Sequence, residues 1–189
     1  MEKPILFNTE MVQAILEGRK TQTRRIMKLQ PKPCNHKEYE DAEWKNKPAQ
    51  WINDGNDWYC ALCGNGIQMS GHSVFHAPYQ VGDILWVRET WNNLVDDNGD
   101  NWVYKADGGW DELSWHPSIH MPKVAARIFL KVTNVKVQRV QDITLENSLN
   151  EGFRSISDFE TIWDKLYRNW SENPWVWVIG FERIIKPSN

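Results

Sequence analysis

Gly18-Arg19-Lys20-Thr21-Gln22-Thr23-Arg24-Arg25 packs four cations and two hydroxyls into eight residues. The segments on either side read as a helix and a strand. Upstream, Ile5 to Phe7 forms a short strand, and Asn8 caps a helix whose apolar stripe is Met11, Val12, Ile15 and Leu16. Gly18 closes that helix as its left-handed residue. Downstream, Thr21 to Ile26 is a strand, so Lys20 sits at the turn between the two elements. Neighbouring cations weaken a lysine's hold on its proton, which suits Lys20 to act as a base beside a threonine hydroxyl. The same charges attract a phosphate backbone. The plain alternative is a solvated basic strand.

The chain of 189 residues has a net charge of -3. That length suits a single domain spanning residues 1–189 with an elaboration. Nucleic-acid affinity must come from a local patch, because the overall balance is slightly acidic. Twelve tryptophans are a large excess; most are expected in the core, although flat indoles also stack on bases. Three cysteines make no disulfide framework. No leader or membrane-length apolar run is visible, so the expectation is a soluble, cytoplasmic protein with no membrane partner and no organic cofactor.

From about residue 28 to 78 the pattern changes. Pro31, Pro33, Pro48, Gly55, Gly64, Gly66 and Gly71 punctuate a polar stretch without sustained periodicity, which reads as an insertion. A loop that long needs a tie. Cys34-x-His36 and Cys60-x-x-Cys63 supply four ligands of the kind that close a tetrahedral structural zinc site, with His72 or His76 as substitutes for His36. The alternative is an unmetallated loop with free thiols.

Regular structure resumes at the turn Val81-Gly82-Asp83 and continues as a strand from Ile84 to Trp91, with Trp102 to Ala106 as its neighbour. Residues 125–140 alternate as a strand with Ala126, Ile128, Leu130 and Val132 on one face; the phase then slips to Val135 and Val137, which predicts a bulge near Thr133-Asn134. Thr144 caps a short helix ending at Glu151-Gly152. Ser157-Asp158-Phe159-Glu160 has the form of a capping box for a helix to about Arg168, and Trp175 to Ile184 is a closing strand. Long strands with few helices predict an α+β fold: a small barrel with peripheral helices and a zinc-stapled insertion.

The order helix, Gly-Arg-Lys-Thr-x-Thr-Arg, Gly82-Asp83-Ile84-Leu85-Trp86-Val87-Arg88-Glu89, long strand and Glu151-Gly152-Phe153 resembles the ASCH family, especially its larger phage and prophage members. The likeness covers most of the chain outside residues 28–78. It implies a PUA-like β-barrel associated with RNA and modified nucleosides. A bacterial member of that family hydrolyses the amide of 4-acetylcytidine with a lysine as proton acceptor, a threonine as nucleophile and a glutamate as proton donor. The resemblance places these roles on Lys20, Thr23 and Glu151. Structural duties for the same three residues are the competing reading.

Arg19, Arg24 and Arg25 are candidate ligand contacts around that set. Glu89 and Trp91 share a strand face and could meet a base by hydrogen bond and stacking, and Arg127 lies near the rim. His120 reads as a loop histidine. Three functions compete: an amidohydrolase acting on an acylated cytidine-type nucleoside, a noncatalytic reader of RNA or modified bases, and a phage protein that binds a host protein through a Trp-rich surface.

Overall fold

The computed structural model describes residues 1–30, 51–54, 57–60, 75–96, 99–109 and 112–187. Strand β1 (Glu2–Leu6) leads into helix α1 (Thr9–Leu16) and then strand β2 (Gln22–Ile26). Asn8 caps α1 as the sequence predicts, its Oδ1 accepting from the Met11 N–H at 2.9 Å. Gly18 turns the chain with φ +75°. Within the segment read as an unpatterned insertion, β3 (Trp51–Asp54), β4 (Asp57–Cys60) and β5 (Phe75–His76) form an antiparallel three-stranded sheet. These strands are too short for alternation to stand out from the surrounding Gly and Pro.

The expected strand from Ile84 to Trp91 is two strands. β6 (Ile84–Arg88) ends before Glu89; β7 (Trp91–Asp96) then pairs with β8 (Gly99–Tyr104) as a separate hairpin. The break falls where Glu89 is drawn inward to an arginine, described below. β9 (Phe129–Arg139) is the long central strand, and β10 (Trp175–Ile184) pairs along its whole length. Gly180 faces Asn134 while Phe181 faces Val132, so Thr133 is the extra residue of a bulge at the predicted place. Between these strands, Thr144 caps α2 (Leu145–Asn150). Helix α3 (Ile156–Tyr167) is capped by Ser155, whose Oγ accepts from Asp158 N–H at 3.0 Å. The cap thus lies two residues before the predicted box, because Ser155-x-x-Asp158 offers the same chemistry one half-turn earlier.

The main sheet has the order β1-β6-β9-β10-β2, with β1 parallel to β6 and every other pairing antiparallel. Its alternation sorts two cores. Ile5, Leu85, Val87, Leu130, Trp177 and Ile179 face α1 through Val12 and Ile15. Val176 and Val178 point the other way, onto Phe159 and Trp163 of α3. A third cluster joins Phe129 to Tyr104 and Met121. Each fully buried aliphatic side chain contributes about 2 kcal/mol of transfer free energy.

The described pairings do not show a closed barrel: β1 and β2 are the two end strands of the sheet order. The edges are nevertheless connected, since Arg25 Nη2 on β2 donates to the Leu6 carbonyl of β1 at 2.6 Å. A backbone ladder is replaced by a side chain because the end of α2 takes part of the β2 edge, with Thr21 N–H donating to Asn150 O at 2.8 Å. No helix among the described residues is long and apolar enough to cross a membrane.

Candidate functional site

Lys20 and Glu151 lie 131 residues apart in sequence and meet at that covered edge, where their backbones form an isolated antiparallel bridge. Two local features bring them together. The Lys20 and Arg19 N–H groups both return to the Ala14 carbonyl, which folds the chain tightly against the end of α1. After α2, Gly152 adopts φ +90° with its backbone so close to α1 that an added Cβ would stand 2.9 Å from the Ala14 Cβ and 3.4 Å from that of Lys20. Only glycine fits both the angle and the approach.

Both side chains are withdrawn from water, Lys20 with 3% and Glu151 with 2% of its surface exposed. The Lys20 ammonium donates to Glu151 Oε2 at 3.0 Å, to Glu151 O at 2.9 Å and to Gln22 O at 2.8 Å. Its three protons are thereby matched to three acceptors. Burial pushes the Lys20 proton affinity below that of an ordinary lysine; Glu151 opposes this, and Arg25 and Arg24 add to it by repulsion.

Arg24 takes the other carboxylate oxygen. Its Nη1 donates to Glu151 Oε1 at 3.0 Å, and its Nη2 donates to Asn147 Oδ1 at 2.9 Å and Gln138 Oε1 at 3.2 Å. Its guanidinium also lies 5.9 Å from the Phe159 ring centroid, and its side chain is wholly buried. Burial lowers its proton affinity as well, against the pull of Glu151. The Arg24 Nη atoms therefore point into protein rather than toward a ligand.

Strand alternation puts Thr23 and Arg25 on the opposite face of β2 from Arg24. Thr23 is buried, with 4% of its surface exposed. The Phe7 ring links this face to the pair: the Lys20 ammonium lies 5.5 Å and the Arg25 guanidinium 5.3 Å from its centroid. Arg19 is exposed, bonded to Glu17 and to the Gly152 carbonyl. Lys20, Glu151 and Arg24 thus form one network, with Thr23 and Arg25 on its flank.

No protein-family model matches the chain. No curated protein matches its sequence. Two solved structures resemble it in arrangement. The hypothetical protein PH0355 shares 14% identity at a TM-score of 0.42, over 97% of this chain and all of that one. An ASCH domain from Lactobacillus crispatus JV V101 shares 12% identity at a TM-score of 0.43, over 98% of this chain and 80% of that one. Both superpositions are loose, and neither bears on the site.

A second cluster lies where β6 ends. Glu89 is 1% exposed and receives two parallel bonds from Arg127, Nε to Oε1 at 2.9 Å and Nη2 to Oε2 at 3.0 Å. Arg127 Nη1 reaches Asp107 at 2.8 Å, and the guanidinium stacks 3.9 Å from the Tyr104 centroid. Burial pushes Glu89 above the usual carboxylate range despite Arg127. Burial works against the Arg127 cation too, yet its bonds to Glu89 and Asp107 hold it above its ordinary value. Burial also pushes the Tyr104 hydroxyl up to about 12. Two residues read as separate ligand contacts are therefore engaged with each other.

Trp91 packs on Trp102 and His116 at centroid distances of 5.3 and 5.1 Å. It pairs in register with Tyr104 of the second cluster, and its indole Nε1 is buried without an acceptor among the described residues. His120 is exposed in a 3-10 turn. Cys34, His36, Cys63 and His72 lie outside the described residues, as does the Cys60 side chain, so the proposed zinc set does too. Among the described residues no group of three or more His, Cys, Asp or Glu is placed to hold a metal.

The sequence reading missed Asn147, Gln138, Asp107 and Tyr104. Asn147 had a signal: it precedes Glu151 by four positions and so shares its helical face. The other three are joined to the clusters only by tertiary contact.

Proposed function

We propose that this chain is an ASCH-like domain that binds a modified nucleoside, or RNA bearing one, and hydrolyses an N-acyl cytidine-type amide with Lys20, Thr23 and Glu151. The observation that carries this reading is the buried 3.0 Å contact between Lys20 Nζ and Glu151 Oε2. Two residues matched by motif to a proton acceptor and a proton donor are in direct proton-transfer contact.

The contact suits the chemistry. Transfer of one proton from the ammonium to Oε2 gives a neutral amine and a carboxylic acid, the two forms that base and acid catalysis require. Burial narrows the gap between the charged and neutral forms of such a pair. The Lys20 amine then accepts the Thr23 hydroxyl proton as Oγ forms a bond to the acyl carbon. Glu151 donates its proton to the leaving nitrogen as the C–N bond breaks, releasing cytidine and restoring the ion pair. Water hydrolyses the resulting threonine ester by the same proton route.

Incubation with 4-acetylcytidine tests the proposal. Cytidine should appear, and Lys20→Ala and Thr23→Ala should each lower its rate by at least about a hundredfold, the scale of a lost general base. Absence of release, or release unchanged in both variants, would sink the catalytic claim.

A noncatalytic reader is favoured by a different observation. The three Lys20 protons already have acceptors, and none of these acceptors is Thr23. Arg25, which pairs with a carbonyl and a ring among the described residues, would then meet phosphate. Binding of a cytidine-containing RNA oligonucleotide that weakens with added salt, without turnover, would mark this outcome.

A further inference from the structure

We propose that Arg24 is a positioning residue: anchored by Asn147 and Gln138, it holds Oε1 of Glu151 so that Oε2 faces Lys20, and as a fixed cation it sets the pH window in which the pair retains one proton. This rests on the catalytic reading for its consequence in turnover, but its geometry stands without that reading.

Glu151 has two oxygens, and each is claimed by a different cation, Oε2 by Lys20 and Oε1 by Arg24, both at 3.0 Å. With both ends fixed, the carboxylate plane cannot rotate without losing a charged bond. Arg24 is itself immobilised, since Nη2 is shared by Asn147 on α2 and Gln138 on β9. Its anchors therefore come from two elements besides its own strand. The guanidinium is wholly buried, both Nη atoms donate to protein acceptors, and Nε is buried without a partner among the described residues, so Arg24 presents no open ligand contact. It acts on the pair alone.

The charged groups around the pair fix the direction of its effect. Lys20 stands between Glu151 on one side and the cations Arg24 and Arg25 of β2 on the other. Arg24 is also within the field of Asp142, in the 3-10 turn before α2. Removing the Arg24 charge takes a cation away from both members of the pair. Lys20 then binds its proton more strongly, and the limb of the rate profile that Lys20 governs moves to higher pH.

The test compares Arg24→Gln, Arg24→Lys and Asn147→Asp in the full chain. The pH dependence of 4-acetylcytidine hydrolysis is followed together with NMR titration of the Lys20 side chain, which needs no turnover. Arg24→Gln should raise the Lys20 limb by about one pH unit, the lower end of the effect of a neighbouring charge. Arg24→Lys, which keeps the cation, should restore the wild-type limb while turning over more slowly. Asn147→Asp places an anion beside Arg24 in an isosteric side chain and should also raise the limb, which keeps the proposal testable if Arg24→Gln does not fold. Lost stability with an unmoved limb in Arg24→Gln and Asn147→Asp would overturn the proposal. A Lys20 titration that moves in a protein without hydrolysis supports the positioning role while the catalytic reading fails.

Discussion

At Glu151 one carboxylate balances two buried cations, so the consequences of substitution are asymmetric. Glu151→Ala leaves Lys20 and Arg24 facing each other without a counter-charge and should cost about 3–5 kcal/mol in urea unfolding. Lys20→Met leaves the Glu151–Arg24 bond intact and keeps the stem volume, but Glu151 Oε2, Glu151 O and Gln22 O lose their donor, so its cost should be smaller, about 1–3 kcal/mol. Equal losses would show that the network is not organised around Glu151. Arg127→Met poses the same question at the second cluster, where it strands Glu89 in a site that already penalises its charge. The neutral acid is then favoured further, and the variant should lose stability as pH rises through the Glu89 titration, the opposite of an ordinary ion-paired carboxylate. That Lys20 and Glu151 belong together was implied by the family resemblance, and the structure does bring the two side chains into contact; their roles remain part of the proposal. The engagement of Glu89 by Arg127 was not legible, since nothing local reveals that two residues 38 positions apart have satisfied each other.

Caps and turns were the readable part of the elements. Asn8, Gly18, Thr144 and the bulge at Thr133 obey short-range chemistry, and the structure has them where the sequence implied. Strand partners were less readable, because the choice between one strand from Ile84 to Trp91 and two strands depends on where Glu89 finds its cation. Gly152 is the element-scale link to the site. Gly152→Ala imposes a strained positive φ and a contact with Ala14, and should cost about 2 kcal/mol. It should also loosen the Lys20–Glu151 contact, so turnover should fall even where the protein remains folded. The turn before β6 gives a pH prediction. Burial would raise the Asp83 carboxyl, but bonds from Lys3, the Gln80 N–H and the terminal amine hold it below its usual range. Its contribution is therefore present above the unfolded aspartate value and disappears as pH falls through the folded one. Asp83→Asn should lower the unfolding midpoint at neutral pH and make little difference in strong acid.

For the whole molecule, the α+β organisation followed from long strands and short helices, while closure into a barrel is not shown by the described pairings. Sequence alternation assigns faces but is silent on edges, and here the β2 edge is shared between the end of α2 and a side-chain bond from Arg25 to β1. The zinc expectation belongs to this scale as well. Cys34, His36, Cys60 and Cys63 have ligand chemistry but lie beyond the described side chains, and Cys60→Ser should reduce bound zinc in metal analysis if they form the tie. An unaltered zinc content would remove Cys60 from that site.

The central claim is that the Lys20–Glu151 contact exists to move a proton for Thr23. Its most direct measurement is cytidine release from 4-acetylcytidine by the purified chain, beside Lys20→Met and Thr23→Ala proteins shown to be folded. The account predicts release by the unaltered chain and loss in both variants. No release, or equal release by all three proteins, would contradict it.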